Sequence, residues 1–237
     1  MKRIIGTPMI FLILFFTLMS CGASSTMNLR KNGSGKAELE VRLTAPVVEY
    51  FLDIAEISGY EASRDALTLF DLPAIRKRLS GIKGLSITRL TSPTQGELNL
   101  SFTFSSLDSL ISSGKNAAAP DVLSWSGGAE SAFRLQLNRE AVSDLLSLLL
   151  QENASAFDYL LPQKGESRTE YDENLAFALD DGPTLFSESM LTFTLNVEGS
   201  VISHNGEQVD PHTVRFRIPL ADLLFLEKPV VYEVVFR

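Results

Sequence analysis

The stretch that decides the fold is Leu98-Asn-Leu-Ser-Phe-Thr-Phe-Ser-Ser-Leu-Asp-Ser-Leu-Ile111. Its first half alternates large apolar with small polar residues, which is the pattern of a strand that buries one face. Ser105 or Ser106 then caps a short helix that carries leucines on one side. The same order of alternating strand, capping residue and leucine-rich helix recurs at 133–146 and 214–224.

The spacing of these units is irregular, so a solenoid is excluded. Strands with one polar face and helices between them predict an antiparallel β-sheet with helices packed on one face, an α+β fold. Asn205-Gly206 predicts a hairpin across 201–209. Further strands are expected at 37–43, 85–91, 122–125, 133–137, 191–197, 214–218 and 230–236, and helices at 46–58, 62–79, 139–149, 154–161, 171–179, 183–189 and 219–226.

Composition narrows the class of protein. The chain has 237 residues, is 45% hydrophobic and carries a formal net charge of −8. This apolar content is typical of a globular protein. The charge argues against a nucleic-acid binder, because such proteins use a basic surface to displace counterions. The single Cys excludes a disulfide scaffold and a multi-thiolate metal site, two His leave little for a His-rich metal centre, and no cofactor is predicted.

The N-terminus has the layout of an export signal. Lys2 and Arg3 precede the uncharged run 9–19, which is too short to span a bilayer comfortably. In Leu18-Met-Ser-Cys21, the leucine lies three positions before the only cysteine and the small residue Ser20 lies directly before it. This segment resembles a bacterial lipobox. The resemblance implies removal of residues 1–20 and a diacylglyceryl group on Cys21. A plain secretory signal or an uncleaved anchor is the alternative.

Residues 21–36 are predicted to be the lipidated cysteine and a flexible tether, because 23–36 is small, polar and rich in glycine. The globular α+β domain would then occupy 37–237. A division of that domain into two sub-halves, about 37–126 and 132–237, is left open.

Two segments, Gly96–Leu110 and Val197–Leu220, are similar to the LppM-type lipoprotein domain, in which a strand, an Asn-Gly hairpin and a second strand ending in an apolar–Pro pair precede a helical turn. Insertions at 46–80 and 139–190 depart from that pattern. The resemblance implies a lipid-anchored envelope protein with an α+β domain, and it implies no catalytic residue.

Two clusters have the residue types of a metal site. His204, Asp210 and His212 could ligate a metal, although a solvated turn accounts for them more simply. A group of acidic residues near 172–181 could bind Ca²⁺ but does not match a calcium loop, so a solvated helix face is favoured. Its members are Asp172, Glu173, Asp180 and Asp181.

Other motifs are weaker. Ser80/Lys83 and Ser112/Lys115 match the Ser-x-x-Lys pattern of serine–lysine acylases, but the partner motifs are absent. Gly33-Ser-Gly-Lys36 lacks the first glycine and the hydroxyl of a phosphate loop. Trp125, beside two glycines, is interpreted as a core or rim residue rather than a ligand platform.

The predicted function is a non-catalytic, exported lipoprotein, attached to the cell membrane or outer membrane through Cys21. Its domain would bind a partner protein or an amphipathic, lipid-like ligand. The alternative is an envelope-anchored hydrolase. A dry apolar cavity would favour a lipid ligand, and an exposed apolar patch would favour a protein partner. Convergent titratable groups in a pocket would favour an enzyme.

Overall fold

The computed structural model describes residues 22–57, 69–114, 122–139, 141–143, 146 and 160–237. The strands are β1 (Gly22–Leu29), β2 (Gly35–Arg42), β3 (Leu85–Thr91), β4 (Glu97–Phe104), β5 (Leu123–Ser126), β6 (Ser131–Leu137), β7 (Met190–Val197), β8 (Val201–His204), β9 (Glu207–Asp210), β10 (Thr213–Pro219) and β11 (Val230–Phe236). The helices are α1 (Ala45–Ile57), α2 (Leu72–Ser80), α3 (Leu107–Gly114), α4 (Arg168–Ala178), α5 (Gly182–Glu188) and α6 (Leu220–Phe225). Residues 139, 141–143 and 146 are also helical.

The strands form two sheets. The larger has the order β3-β4-β2-β1-β7-β10-β9, and the smaller has the order β5-β6-β11-β8. All pairs are antiparallel except β1 and β7, which run parallel from Gly22 beside Met190 to Leu29 beside Val197. Both sheets combine strands from before and after residue 130. The described residues therefore do not divide into the two sub-halves.

The α+β class is confirmed, and the expectation of one antiparallel sheet is corrected. One face of the larger sheet is apolar and is covered in two ways. At one end it packs against helices, forming what we call the helix–sheet core. At the other end it packs against the smaller sheet, forming the sheet–sheet core. The first includes Val47, Phe51, Phe70, Leu98, Leu100, Phe186 and Leu224, and the second includes Leu29, Phe133, Phe193, Leu195, Phe216, Tyr232 and Phe236.

Local sequence explains several helix ends. Ser167 and Glu170 form a reciprocal capping box at the start of α4. Asp71 accepts a hydrogen bond of 2.9 Å from the Ala74 amide at the start of α2, and Asn138 accepts one of 2.8 Å from the Ala141 amide. Thr44 does not cap α1 as its sequence position suggests, since its buried Oγ1 has no hydrogen-bond partner among the described residues.

The predicted tether is wrong for residues 22–36. Residues 22–29 form β1, which lies between β2 and β7 near the middle of the larger sheet. Leu29 is buried in the sheet–sheet core, and residues 30–34 turn the chain into β2, with Gly33 at φ +77°. The physical reason is that both edges of this polar strand find backbone partners, so its hydrogen bonds hold it in the sheet.

The predicted Asn-Gly hairpin is also wrong. β8 pairs with β11 and β9 pairs with β10, so the two strands belong to different sheets. The Asn205 side chain accepts a hydrogen bond from the Glu233 amide at 2.8 Å and donates one to the Val231 carbonyl at 2.7 Å. Asn205-Gly206 is therefore a corner between the sheets. The predicted signal peptide 1–20, Cys21, helix residues 62–68 and helix residues 154–159 lie outside the described residues.

Candidate ligand-binding site

An apolar cavity lies inside the helix–sheet core. It has a volume of about 140 Å³ and lies between three central strands of the larger sheet and the helices above them. None of the described residues that line it has a charged or hydrogen-bonding side chain. They are Gly22, Ala23, Leu39, Val41, Leu43, Val47, Phe51, Phe70, Val142, Leu146, Phe186, Met190, Leu191, Leu220, Leu223 and Leu224.

Small residues on β1 account for the position of this cavity. Leu39, Val41 and Leu191 belong to the apolar face of the sheet, yet they are only partly buried. Between them β1 contributes Gly22 and Ala23, which fill little volume. A Cβ at Gly22 would lie 2.9 Å from the Met190 carbonyl oxygen, a contact too short for a larger residue. The close approach of β1 to β7 therefore requires glycine here.

Contacts between α4 and α6 hold the helical wall in place. Arg168 bridges Asp172 at 3.1 Å and Asp222, on α6, at 3.0 Å. Burial opposes the charge on Arg168, but the hydrogen bond to Asp222 and the charge of Asp172 raise its pKa overall. The same guanidinium lies 5.5 Å from the centre of the Phe225 ring. These contacts position α6, which supplies three residues of the cavity lining.

Tyr171 adds a second link from α4. Its ring stacks on Phe225 with centroids 5.6 Å apart, and its hydroxyl donates a 2.9 Å hydrogen bond to the Leu160 carbonyl oxygen. Burial raises the pKa of Tyr171 well above its ordinary value, so this hydroxyl stays protonated and acts as a structural donor.

Two further grooves lie outside this cavity. One, of about 710 Å³, follows the far ends of β1, β2 and β7 and is lined by polar residues that include Asn28, Lys36 and Asn196. The other, of about 470 Å³, lies between α1 and α4, where Phe177 is 94% exposed. The lining of the first groove mixes polar residues with Leu29, Phe104 and Val197, and the second combines a groove with an exposed aromatic ring.

The histidine cluster does not assemble into a metal site. His204 Nδ1 contacts the Gly206 carbonyl oxygen at 2.9 Å, whereas His212 Nδ1 contacts the Gly199 carbonyl oxygen. Asp210 accepts a 2.7 Å hydrogen bond from the His212 amide, which lowers the pKa of its carboxyl group. Asp210 and His212 belong to the exposed turn between β9 and β10, whereas the half-buried His204 ends β8 in the other sheet. In the described part of the chain no group of three or more His, Cys, Asp or Glu is placed to hold a metal ion.

The acidic group near α4 is spread over separate positions. Asp172 is ion-paired with Arg168, and Glu173 is exposed on α4. Asp180 and Asp181 form the exposed turn that leads into α5, where Asp181 has φ 56°. The described structure does not gather these carboxylates into one coordination shell.

The remaining motifs have structural roles. Ser80 and Lys83 are exposed at the end of α2, while Ser112 is exposed on α3 and Lys115 lies outside the described residues. Gly33 and Ser34 belong to the turn between β1 and β2, and Gly35 and Lys36 are the first two residues of β2. Trp125 packs on Phe236, with ring centroids 5.8 Å apart, and a Cβ at Gly33 would lie 2.9 Å from its Nε1. Trp125 is thus a rim residue of the sheet–sheet core, as predicted.

Sequence reasoning missed the cavity and its residues on β1. The available signal was the weak alternation in Ala23-Ser-Ser-Thr-Met-Asn-Leu29, in which Ala23, Met27 and Leu29 share one face. Across the part of the chain that is described, no helix combines the length and apolar character required to traverse a bilayer.

No protein-family profile and no curated protein sequence matches the chain. Among solved structures, it is similar to the NMR structure of the folded domain of the LppM protein of Mycobacterium tuberculosis. The two chains are 10% identical, the match covers 92% of this chain and 89% of that one, and the TM-score is 0.42. A TM-score of this size transfers no site, ligand or activity.

Proposed function

We propose that this chain is a lipid-anchored protein of the bacterial envelope whose α+β domain binds an apolar chain, such as the acyl chain of an amphipathic ligand, without catalysing a reaction. The observation that supports binding is the cavity between the sheet and the helices. The described residues that line it are all apolar, so a water molecule there would find no hydrogen-bonding side chain among them.

The size of the cavity suits part of a ligand rather than a whole lipid. Its 140 Å³ is close to the roughly 150 Å³ of an engineered apolar cavity that stays dry and binds benzene. A segment of about six carbons would therefore enter, and each buried methylene would contribute about 0.8 kcal/mol. The polar end of the ligand would remain outside.

The anchoring part of the proposal rests on the N-terminal sequence. Cys21 follows an uncharged apolar run and a lipobox-like segment, and a diacylglyceryl thioether at its Sγ would supply two acyl chains. Two chains are enough for stable attachment, whereas one gives reversible binding. The protein would then reside on the cell membrane or the outer membrane, facing away from the cytoplasm.

Catalysis is the alternative, and the cavity does not favour it. A hydrolase places a nucleophile and its base in hydrogen-bond contact beside the bound substrate. The described residues that line this cavity carry no such group, and the exposed Ser80 and Lys83, at and just after the end of α2, are not among them.

Binding of a protein partner is a second candidate, favoured by one observation. Phe177 is 94% exposed beside the groove that contains Tyr50 and Ile54, and exposed aromatic residues next to a groove are common at protein interfaces. A Phe177→Ser variant that loses a partner captured by the native protein would support this candidate.

Binding in the cavity is tested by titrating a fluorescent fatty acid into the mature polypeptide, residues 21–237, carrying Cys21→Ser so that no acyl chain is attached. Ala23→Leu adds three carbons to the cavity and should weaken binding. Ser24→Leu adds carbons to the neighbouring exposed residue and should leave the affinity unchanged. Equal affinities of the two variants would contradict the proposal.

Anchoring is tested by the intact mass of the full chain purified from bacterial membranes. We expect an N-terminus at Cys21 and a mass increment of at least a diacylglyceryl group, both lost in Cys21→Ala. A free thiol at position 21, or a mature chain that begins elsewhere, would contradict the anchoring part alone.

A further inference from the structure

The cavity begins one residue from the predicted acylation site. Gly22 and Ala23 both line it, and the Cα of residue 21 lies about 3.8 Å from that of Gly22 whatever the local conformation. Ala23 is the β1 residue nearest the chain start whose side chain is on the apolar face. A lipid on Cys21 would therefore be attached one covalent residue from the lining of an apolar cavity.

Volume and local concentration favour a tethered occupant over a free one. A cavity of about 140 Å³ admits only a short methylene segment, and a free ligand held by so few carbons binds weakly. A chain attached one residue away reaches an effective concentration in the millimolar range. The same short segment can then fill the cavity although its intrinsic affinity is low.

We infer that one acyl chain of the lipid on Cys21 folds back into the cavity between β1, β2, β7 and the helices, so that the protein's own lipid is the resident ligand. This inference rests on the proposed function, because it requires acylated Cys21. The remaining lipid chain or chains hold the protein on the membrane, and an external ligand has to displace the folded-back chain. The cavity thereby couples ligand binding to the number of acyl chains that reach the bilayer.

The test uses the full chain, expressed with its leader in bacteria fed a fatty acid that carries a diazirine at its end. After irradiation, the protein is digested and cross-linked peptides are identified by mass spectrometry. We expect the acylated Cys21 peptide to be linked to peptides containing Leu191 or residues 220–224, with a yield independent of protein concentration. Ala23→Leu should abolish these links and Ser24→Leu should keep them, while both variants stay acylated and melt cooperatively.

The other outcomes are distinct. If Cys21 is acylated but its chains cross-link only to phospholipid or detergent, the inference is overturned while the proposed anchoring stands. If cavity residues are still cross-linked in Cys21→Ala, the occupant is a bilayer lipid. A yield that rises with protein concentration would assign the acyl chain to a second copy. Each of these two results also overturns the inference, and an unmodified Cys21 overturns the proposed anchoring itself.

Discussion

The two ends of the apolar sheet face are filled in different ways. In the sheet–sheet core, Phe193 stacks on Phe133 with ring centroids 5.8 Å apart and on Phe216 at 6.1 Å, and Phe216 contacts Tyr232 at 4.5 Å. In the helix–sheet core, aliphatic residues, the rings of Phe51, Phe70 and Phe186 and the small residues of β1 surround a cavity of about 140 Å³. One sheet face therefore carries both a closely packed region and a cavity.

The difference shows how the cavity arises. Two sheets bring flat faces together, and aromatic rings fill the space between them. Short helices over a sheet leave gaps wherever the strand below supplies no volume, as at Ala23. The ring-filled end and the cavity end of this sheet face therefore differ in how completely side chains fill the space beside the sheet.

The largest expected effect comes from the ring-filled end. Phe216→Ala should lower the free energy of unfolding by about 3–5 kcal/mol, because a buried ring is lost and its stacking partners are left beside a void. Leu191→Ala, at the cavity, should cost about 2 kcal/mol, since its side chain is already partly exposed. Urea denaturation of both variants measures the contrast, and equal losses would show that the cavity wall is as tightly packed as the stacked rings.

A smaller effect is expected from the contacts that hold the helical wall. Arg168→Ala removes the ion pair between α4 and α6 and the contact with the Phe225 ring. The loss of both should lower the free energy of unfolding by about 1 kcal/mol. Arg134 pairs with Glu233 at 2.9 Å across the smaller sheet and is more exposed, so Arg134→Ala is the matched control and should cost less. The melting temperatures of the two variants measure this difference. A larger loss for Arg134→Ala than for Arg168→Ala would show that the ion pair in the smaller sheet contributes more.

Filling the cavity should stabilise the protein. In the unacylated polypeptide, Ala23→Leu is expected to raise the free energy of unfolding by about 0.5 kcal/mol, because cavity-filling substitutions add buried apolar surface. Ser24→Leu, on the exposed face, should change it little. Destabilisation by Ala23→Leu alone would mean that the space beside β1 cannot accept three carbons.

The smallest expected effect is on the stability of the protein at low pH. The backbone and side-chain hydrogen bonds from Ser167 lower the pKa of Glu170, so its carboxylate stabilises α4 above the pKa of an unfolded glutamate and loses that contribution as the pH falls below about 4. Melting temperatures between pH 5 and 3 should therefore fall more steeply for the native chain than for Glu170→Gln. Ser167→Ala removes the hydroxyl donor but keeps the backbone donor, so it should reduce the slope less than Glu170→Gln. Identical slopes in all three chains would exclude the capping box as a source of acid sensitivity.

Much of the fold follows from local sequence. β4, β7 and β10 alternate large apolar with polar residues, so one buried face is evident from the sequence alone. β1 was missed because its apolar side is built from Ala23, Met27 and Leu29, with serine between, and small residues give a weak periodic signal. Its stability as a strand comes from partners on both edges, which the local sequence does not contain.

The corner at Asn205-Gly206 and the cavity could not be predicted from the sequence for a different reason. Asn205-Gly206 has the chemistry of a hairpin, but the partners of the flanking strands lie in different sheets, and tertiary contacts decide that choice. The cavity depends on residues from nine segments of the chain and on volume that is left unfilled at Gly22 and Ala23. No single motif encodes it, so only the assembled structure places it at the start of β1.

Nuclear Overhauser effects from a ¹³C-labelled fatty acid to the unacylated polypeptide would locate a bound acyl chain at the level of individual methyl groups. The proposed binding site predicts contacts from the chain terminus to the methyl groups of Leu39, Val41 and Leu191. Contacts confined to the groove around Phe177, or the absence of any contact at a saturating concentration of the fatty acid, would contradict acyl-chain binding in the cavity.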